Sequence, residues 1–185
     1  TLLYIAGGAS SGAAHELVWV TRNGIPTPVD PDWSGTLRTR PRISPDGKQV
    51  VLGLTNGASF EVWVKQLDRG PASRFPGAGA NPALTRDGKR IVYYNGTAVV
   101  SGPADGSVLP SVLLRSSGAL ASFDLTPDDQ RLIAAAGENI VDVRIGTDTA
   151  PTPLIAERAV ERRPALSPNG RWLAYESDET GSIQI

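Results

Sequence analysis

Cysteine is absent from the 185 residues, which excludes disulfides, thiolate zinc sites and thiol catalysis. The absence fits an oxidising compartment as well as a reducing one, so it places the chain in neither. Only one histidine is present, His15, and no histidine-based metal cluster can be built from it. Charge of one sign is also missing: 18 basic residues face 19 acidic ones, spread along the whole length. No basic block is available to hold a nucleic-acid backbone or an anionic membrane. The short arginine groups, Arg38, Arg40 and Arg42 and then Arg162 and Arg163, read as solvated surface. No apolar run approaches the roughly 18 residues of a membrane span. "TLLYIAGGASSGAA" is too short for a signal peptide and lacks a basic leader, so any export signal or anchor has to lie outside this chain. Nucleic acid and membrane insertion by this segment are therefore not expected, and no cofactor is.

What is present is punctuation. Twenty glycines and fifteen prolines sit at regular intervals between short apolar runs, the pattern of turns between strands rather than of disorder. The phrase "RPRISPDGKQVVLGL" returns as "NPALTRDGKRIVYY", "SFDLTPDDQRLIAA" and "RPALSPNGRWLAYE". Its opening hydroxyl residue stands at Ser44, Thr85, Thr126 and Ser167, each 41 residues from the last. A fixed period of that size marks a repeated supersecondary unit.

Within a period the pattern is all β. "PRIS" reads as a short strand and "SPDG" as a turn, with Pro45 presetting φ and Gly47 free to take a positive one. "KQVVLGL", "FEVWVKQL" and "ASRF" supply three more strands; the next period has a tight hairpin at Asn95 and Gly96. No window shows a 3.6-residue period with caps, so almost no helix is expected. Four short strands per period of about 40 residues indicate a β-propeller blade. The expected fold is all-β: a partial ring of about four and a half four-stranded blades. It divides into a partial blade at 1–40, full blades at 41–81, 82–122 and 123–163, and a partial blade at 164–185. An open arc of this kind is expected to belong to a longer protein, or to self-associate through its open blade edges.

The motif P-x-[IL]-S-P-D-G-[KR]-x-[IVL], followed by an apolar strand and "VWV", resembles the WD40-like repeat of TolB-type propellers; residues 41–175 carry it four times. "LVWVTRNG", just ahead of the first such repeat, is similar to the extracytoplasmic propellers behind some bacterial serine/threonine kinases. The resemblance implies a periplasmic or extracytoplasmic module. Three departures stand out: Arg86 for the motif proline, Asp129 for its glycine and Asn169 for its aspartate. They are expected to weaken individual turns but not the period.

Most candidate sites dissolve on inspection. "GASSG" centres Ser10 in a nucleophile-elbow pattern, but a strand follows where a helix is required, and no acid separates it from His15. A serine hydrolase is rejected. Asp46 and Asp87 suit hydrogen bonding to backbone within their turns and lack the spacing of a calcium loop. Asp30 and Asp32 read as solvated, "PGAGANP" lacks the helix of a phosphate loop, and the sequon at Asn95 is explained by its hairpin. Trp19 and Trp63 read as packing between blades.

One set remains. Arg40, Asn81, Ser122 and Arg163 share the 41-residue period and immediately precede each first strand. In a propeller the first strands line the central channel, so these four polar residues would ring one mouth, able to receive an acidic peptide or a carboxylate. Two functional readings follow. One is a non-catalytic module for binding or sensing a protein or peptide. The other is the propeller of a larger hydrolase of prolyl-oligopeptidase type, with its catalytic domain outside this chain.

Overall fold

The computed structural model describes residues 2–7, 15–37, 39–115, 118 and 120–185, and no helix occurs among them. Its strands form five antiparallel sheets. Sheet I holds β1 (Leu2–Gly7), β2 (His15–Val20) and β3 (Pro26–Pro28) in that order. In sheet II both β4 (Thr36–Leu37) and β5 (Arg42–Ile43) pair with β6 (Gln49–Asn56), followed by β7 (Ser59–Gln66) and β8 (Ser73–Ala78). Sheet III runs β9 (Ala80–Leu84), β10 (Arg90–Tyr94), β11 (Ala98–Pro103), β12 (Ser111–Arg115). Sheet IV runs β13 (Leu120–Leu125), β14 (Arg131–Ala136), β15 (Asn139–Arg144), β16 (Thr152–Ile155). Sheet V pairs β17 (Arg162–Leu166) with β18 (Leu173–Glu176). This is a partial β-propeller of four-stranded blades.

The first strand of sheet II departs from the sequence reading. It comprises two short segments, β4 and β5, each paired with β6, and residues 39–41 between them stand outside the ladder. The Thr39 hydroxyl substitutes for the missing ladder, accepting from the Gly53 N–H at 2.7 Å. Gly53 is required there, since a Cβ would lie 2.7 Å from that same hydroxyl oxygen.

Alternation explains how the sheets stack. On β10, Ile91 and Tyr93 face sheet II with Val51, Val62, Val64 and Phe75, while Val92 faces sheet IV with Phe123, Leu132 and Val141. On β6, Val51 turns one way and Val50, Leu52 and Leu54 turn the other, toward Leu17 of sheet I. Period-two chains buried on both faces are what a blade between two blades requires. Trp63 packs at the seam between sheets I and II, its indole N–H donating to Glu61 Oε2 at 3.0 Å. Its ring neighbour is Trp33, at 6.3 Å between centroids, rather than Trp19.

The four repeated turns share one hydrogen-bond network. The hydroxyls of Ser44, Thr85 and Thr126 donate to Asp46, Asp87 and Asp128 at 2.6, 2.7 and 2.6 Å. Each carboxylate also accepts the backbone N–H two residues on, from Lys48, Lys89 and Gln130. Ser167 and Asn169 repeat the arrangement with an amide oxygen. These bonds hold all three carboxyls below the ordinary value of 3.8, chiefly through Ser44 for Asp46, the Lys89 N–H for Asp87 and Thr126 for Asp128. A depressed folded-state value means stability that is complete above pH 3.8 and is lost as the pH falls through the lowered values. Because Asn169 already serves neutrally, the triple variant Asp46→Asn, Asp87→Asn, Asp128→Asn should fold at pH 7 and lose less stability than wild type on going to pH 3. Denaturation midpoints at the two pH values check this, and equal losses would place the acid sensitivity elsewhere.

Candidate functional site

Contacts between β5 and β9, β9 and β13, and β13 and β17 put the first strands on the inside of the arc. At one end of them opens a cavity of about 510 Å³. Its wall includes Arg40, Asn81, Ser122 and Arg163, the four periodic positions, together with Arg42 and Arg162. Pro82, Phe123 and Pro164, again 41 residues apart, form its apolar lining.

The polar side chains are held by specific partners. Arg40 donates to Glu176 Oε1 at 3.1 Å, and Arg163 donates to both oxygens of the same carboxylate at 2.9 and 2.8 Å. Glu176 is 8% exposed, and its carboxyl is held below the usual range, first by the Arg163 hydrogen bond and then by the charges of Arg163 and Arg40. Arg42 donates to the Phe123 carbonyl at 3.3 Å and lies 3.8 Å from Asp124 Oδ2. Asn81 Nδ2 donates across to the Ala121 carbonyl at 2.6 Å. Asn81 and Arg163 have φ of 53° and 52°, the left-handed region, which costs a residue with a Cβ about 1–2 kcal/mol. Their hydrogen bonds to the neighbouring strand and to Glu176 hold that conformation in place.

Arg42 and Arg162 were read in the sequence as solvated surface; both line the cavity instead. The signal that finds them is register: Arg40 and Arg163 occupy equivalent positions, so their arginine neighbours must reach the same mouth. Arg38 lies outside the described residues, as does Ser10 with its surrounding glycines. Asp30, expected to be solvated, instead lies 3.5 Å from the ammonium of Lys65, which is 6% exposed and also donates to the Arg69 and Gly70 carbonyls. A buried ammonium requires such an oxygen cage. Asn95 Oδ1 accepts from the N–H groups of Thr97 and Ala98 within its hairpin. "PGAGANP" runs from the end of β8 through Gly79 into β9, and its glycines make room for Tyr93: a Cβ at Gly77 would lie 2.3 Å from the Tyr93 hydroxyl oxygen and one at Gly79 2.2 Å from its ring. His15 opens β2 and does not line the arginine cavity.

Among the described residues no cluster of three histidine, cysteine or carboxylate side chains could hold a metal ion. Among the same residues no helix is long and apolar enough to cross a membrane.

No protein-family model matches the chain, and no curated protein matches its sequence. Solved structures do match in shape. TolB from Acinetobacter baumannii superimposes with a TM-score of 0.73 at 19% identity over 98% of this chain and 47% of its own. A second structure of the TolB type, from Agrobacterium tumefaciens, gives 0.69 at 18% identity, over 90% of this chain and 62% of its own. A dihydro-heme d1 dehydrogenase follows at 0.59 and 16% identity, covering 99% of this chain and 43% of its own. The chain thus spans about half of the first TolB structure and three-fifths of the second. The architecture is that of a TolB-like β-propeller, with the repeats stacked as blades and the first strands innermost.

Proposed function

We propose that this chain is a non-catalytic propeller module that binds a protein or peptide at the arginine-rimmed cavity, in an extracytoplasmic compartment. One observation carries the reading: seven polar side chains, Thr39 among them, converge from four successive sheets on one open cavity at the inner strand ends. A concave site with a few placed polar groups on a rigid scaffold is the usual form of a recognition surface. Left-handed backbone at Asn81 and Arg163, at the rim itself, supports it, since such strain gathers at functional positions. The compartment follows from the resemblance of the repeats and of "LVWVTRNG" to extracytoplasmic propellers. Self-association through open edges belongs to the same proposal: β18 pairs only with β17 among the described strands, and Trp172, just ahead of β18, stands exposed.

Panning a random peptide library against the protein tests the reading. Enriched peptides are expected to lose binding to Ser122→Trp, whose ring fills the cavity, and to keep it with Val108→Trp on an exposed loop. Peptides that bind both variants equally, or no enrichment at all, would overturn it.

A further inference from the structure

The polar groups around the cavity are unequally engaged. Arg40 and Arg163 are committed to Glu176, Arg42 to the Phe123 carbonyl and Asp124, and the Asn81 amide N–H to the Ala121 carbonyl. Two are uncommitted. Arg162, half-buried on β17, makes no ion pair or side-chain hydrogen bond among the described residues. The Ser122 hydroxyl oxygen is shielded from solvent and has no partner there either. A guanidinium and a hydroxyl so placed lack an acceptor. Four arginines, with Glu176 and Asp124 behind them, also leave the site with a surplus of two positive charges.

We propose that the cavity is a receptor for a single carboxylate group, gripped by the Arg162 fork with Ser122 Oγ as a further donor, while Glu176 serves as a built-in counter-anion for Arg40 and Arg163. The inference rests on the cavity being the binding site proposed above, and adds the chemistry of what enters it. A carboxylate is planar and matches the two parallel N–H groups of a guanidinium. The site already contains an example, since a carboxylate is what Arg40 and Arg163 hold in Glu176. Glu176 also sets selectivity: by engaging the donors of Arg40 and Arg163 it leaves the Arg162 fork and Ser122 Oγ as the open donors, enough for the two oxygens of one carboxylate and too few for the three of a phosphate. The group can come from a free small acid or from a peptide's C-terminus or acidic side chain.

Backbone and arginine side-chain NMR titrations test this with acetate, succinate and inorganic phosphate at constant ionic strength, chloride serving as the blank. Acetate and succinate are expected to shift cavity resonances saturably. Affinity should fall about tenfold in Arg162→Gln, the size of one lost charge-assisted pair. Ser122→Ala should weaken it less, and Arg162→Lys, which keeps the charge without the fork, should lie between wild type and Arg162→Gln. Glu176→Gln, releasing two arginines, should let phosphate bind saturably. Titrations that match chloride, an Arg162→Gln variant with unchanged affinity, or a wild type that prefers phosphate would overturn the inference. Synthetic peptides in C-terminal acid and amide forms, with and without acidic residues, separate the sources: preference for the free acids alone identifies a small-molecule ligand, and preference for acid over amide or for acidic residues identifies a peptide. Peptides that bind in a Ser122→Trp-sensitive manner with neither acidic residue nor free carboxylate would sink the carboxylate and leave the peptide-binding reading standing.

Discussion

Truncating Phe123 to alanine is expected to lower the unfolding free energy by about 3–5 kcal/mol. Phe123 is 2% exposed and lies in the seam between sheets III and IV, beside Leu120, Leu125 and Leu132. Its cross-strand partner is Ala134, fully buried and too small to move into the space left by the ring. A void there removes apolar contact from both sheets at once, because the blades adhere through these faces. The same residue supports the cavity, where its carbonyl accepts from Arg42. Val112→Ala, on a strand of sheet III where the side chain is 48% exposed, should by contrast cost under about 0.5 kcal/mol. Urea denaturation of the two variants measures both. A Phe123→Ala loss below about 1 kcal/mol would mean that the seam does not hold the sheets together.

The second large effect is a coupling. Two departures from the repeat, Arg86 for proline and Asp129 for glycine, were expected to weaken their turns separately. In the fold they meet: the Arg86 N–H donates to both carboxylate oxygens of Asp129, at 3.0 and 2.8 Å. A proline at 86 would have no N–H to offer. The equivalent position in the next turn shows the converse, since a Cβ on Gly170 would lie 3.0 Å from the ring of Pro127. Replacing proline in one blade thus opens the space and supplies the donor that a side chain in the following blade uses. The Arg86 guanidinium continues the link, donating to the Pro168 carbonyl at 3.2 Å. Asp129 sits at φ 56° where the other turns have glycine, and burial pushes its carboxyl up while the Arg86 N–H pulls it back.

Arg86→Pro alone should therefore cost about 2–3 kcal/mol, because it strands a partly buried carboxylate. Asp129→Gly alone should cost about 1 kcal/mol, since lost hydrogen bonds are partly offset by relief of the left-handed backbone. The double variant restores the motif in both blades and should lie within about 0.5 kcal/mol of wild type, a coupling of roughly 3–4 kcal/mol. Chemical denaturation of the four proteins closes the cycle. Additivity of the two single losses would show that the departures are independent.

The repeat length, the turns and the all-β character were legible in the chain alone because each depends on neighbours a few residues apart. Ser44 bonds Asp46, and Asn95 bonds Thr97 and Ala98, whatever the rest of the fold does. Alternation of apolar residues likewise prescribed strands with two buried faces, and the shared register of Arg40, Asn81, Ser122 and Arg163 put them at one end of the inner strands. The partners of those residues were not legible. Arg40 finds Glu176 across 136 positions, Lys65 finds Asp30, and Arg86 finds Asp129 in another blade. Register says which end of a strand a side chain occupies but not which neighbour it meets, and that depends on the angle at which one blade packs on the next. Glu161 shows the same limit. It shares a register with the buried Leu120, yet nothing local announces that a carboxylate there would be 1% exposed. Chain-local hydrogen bonds and the two-residue period decided the blades; only the packing of blade on blade decided which charges face one another, and so which arginine in the cavity has no partner among the described residues.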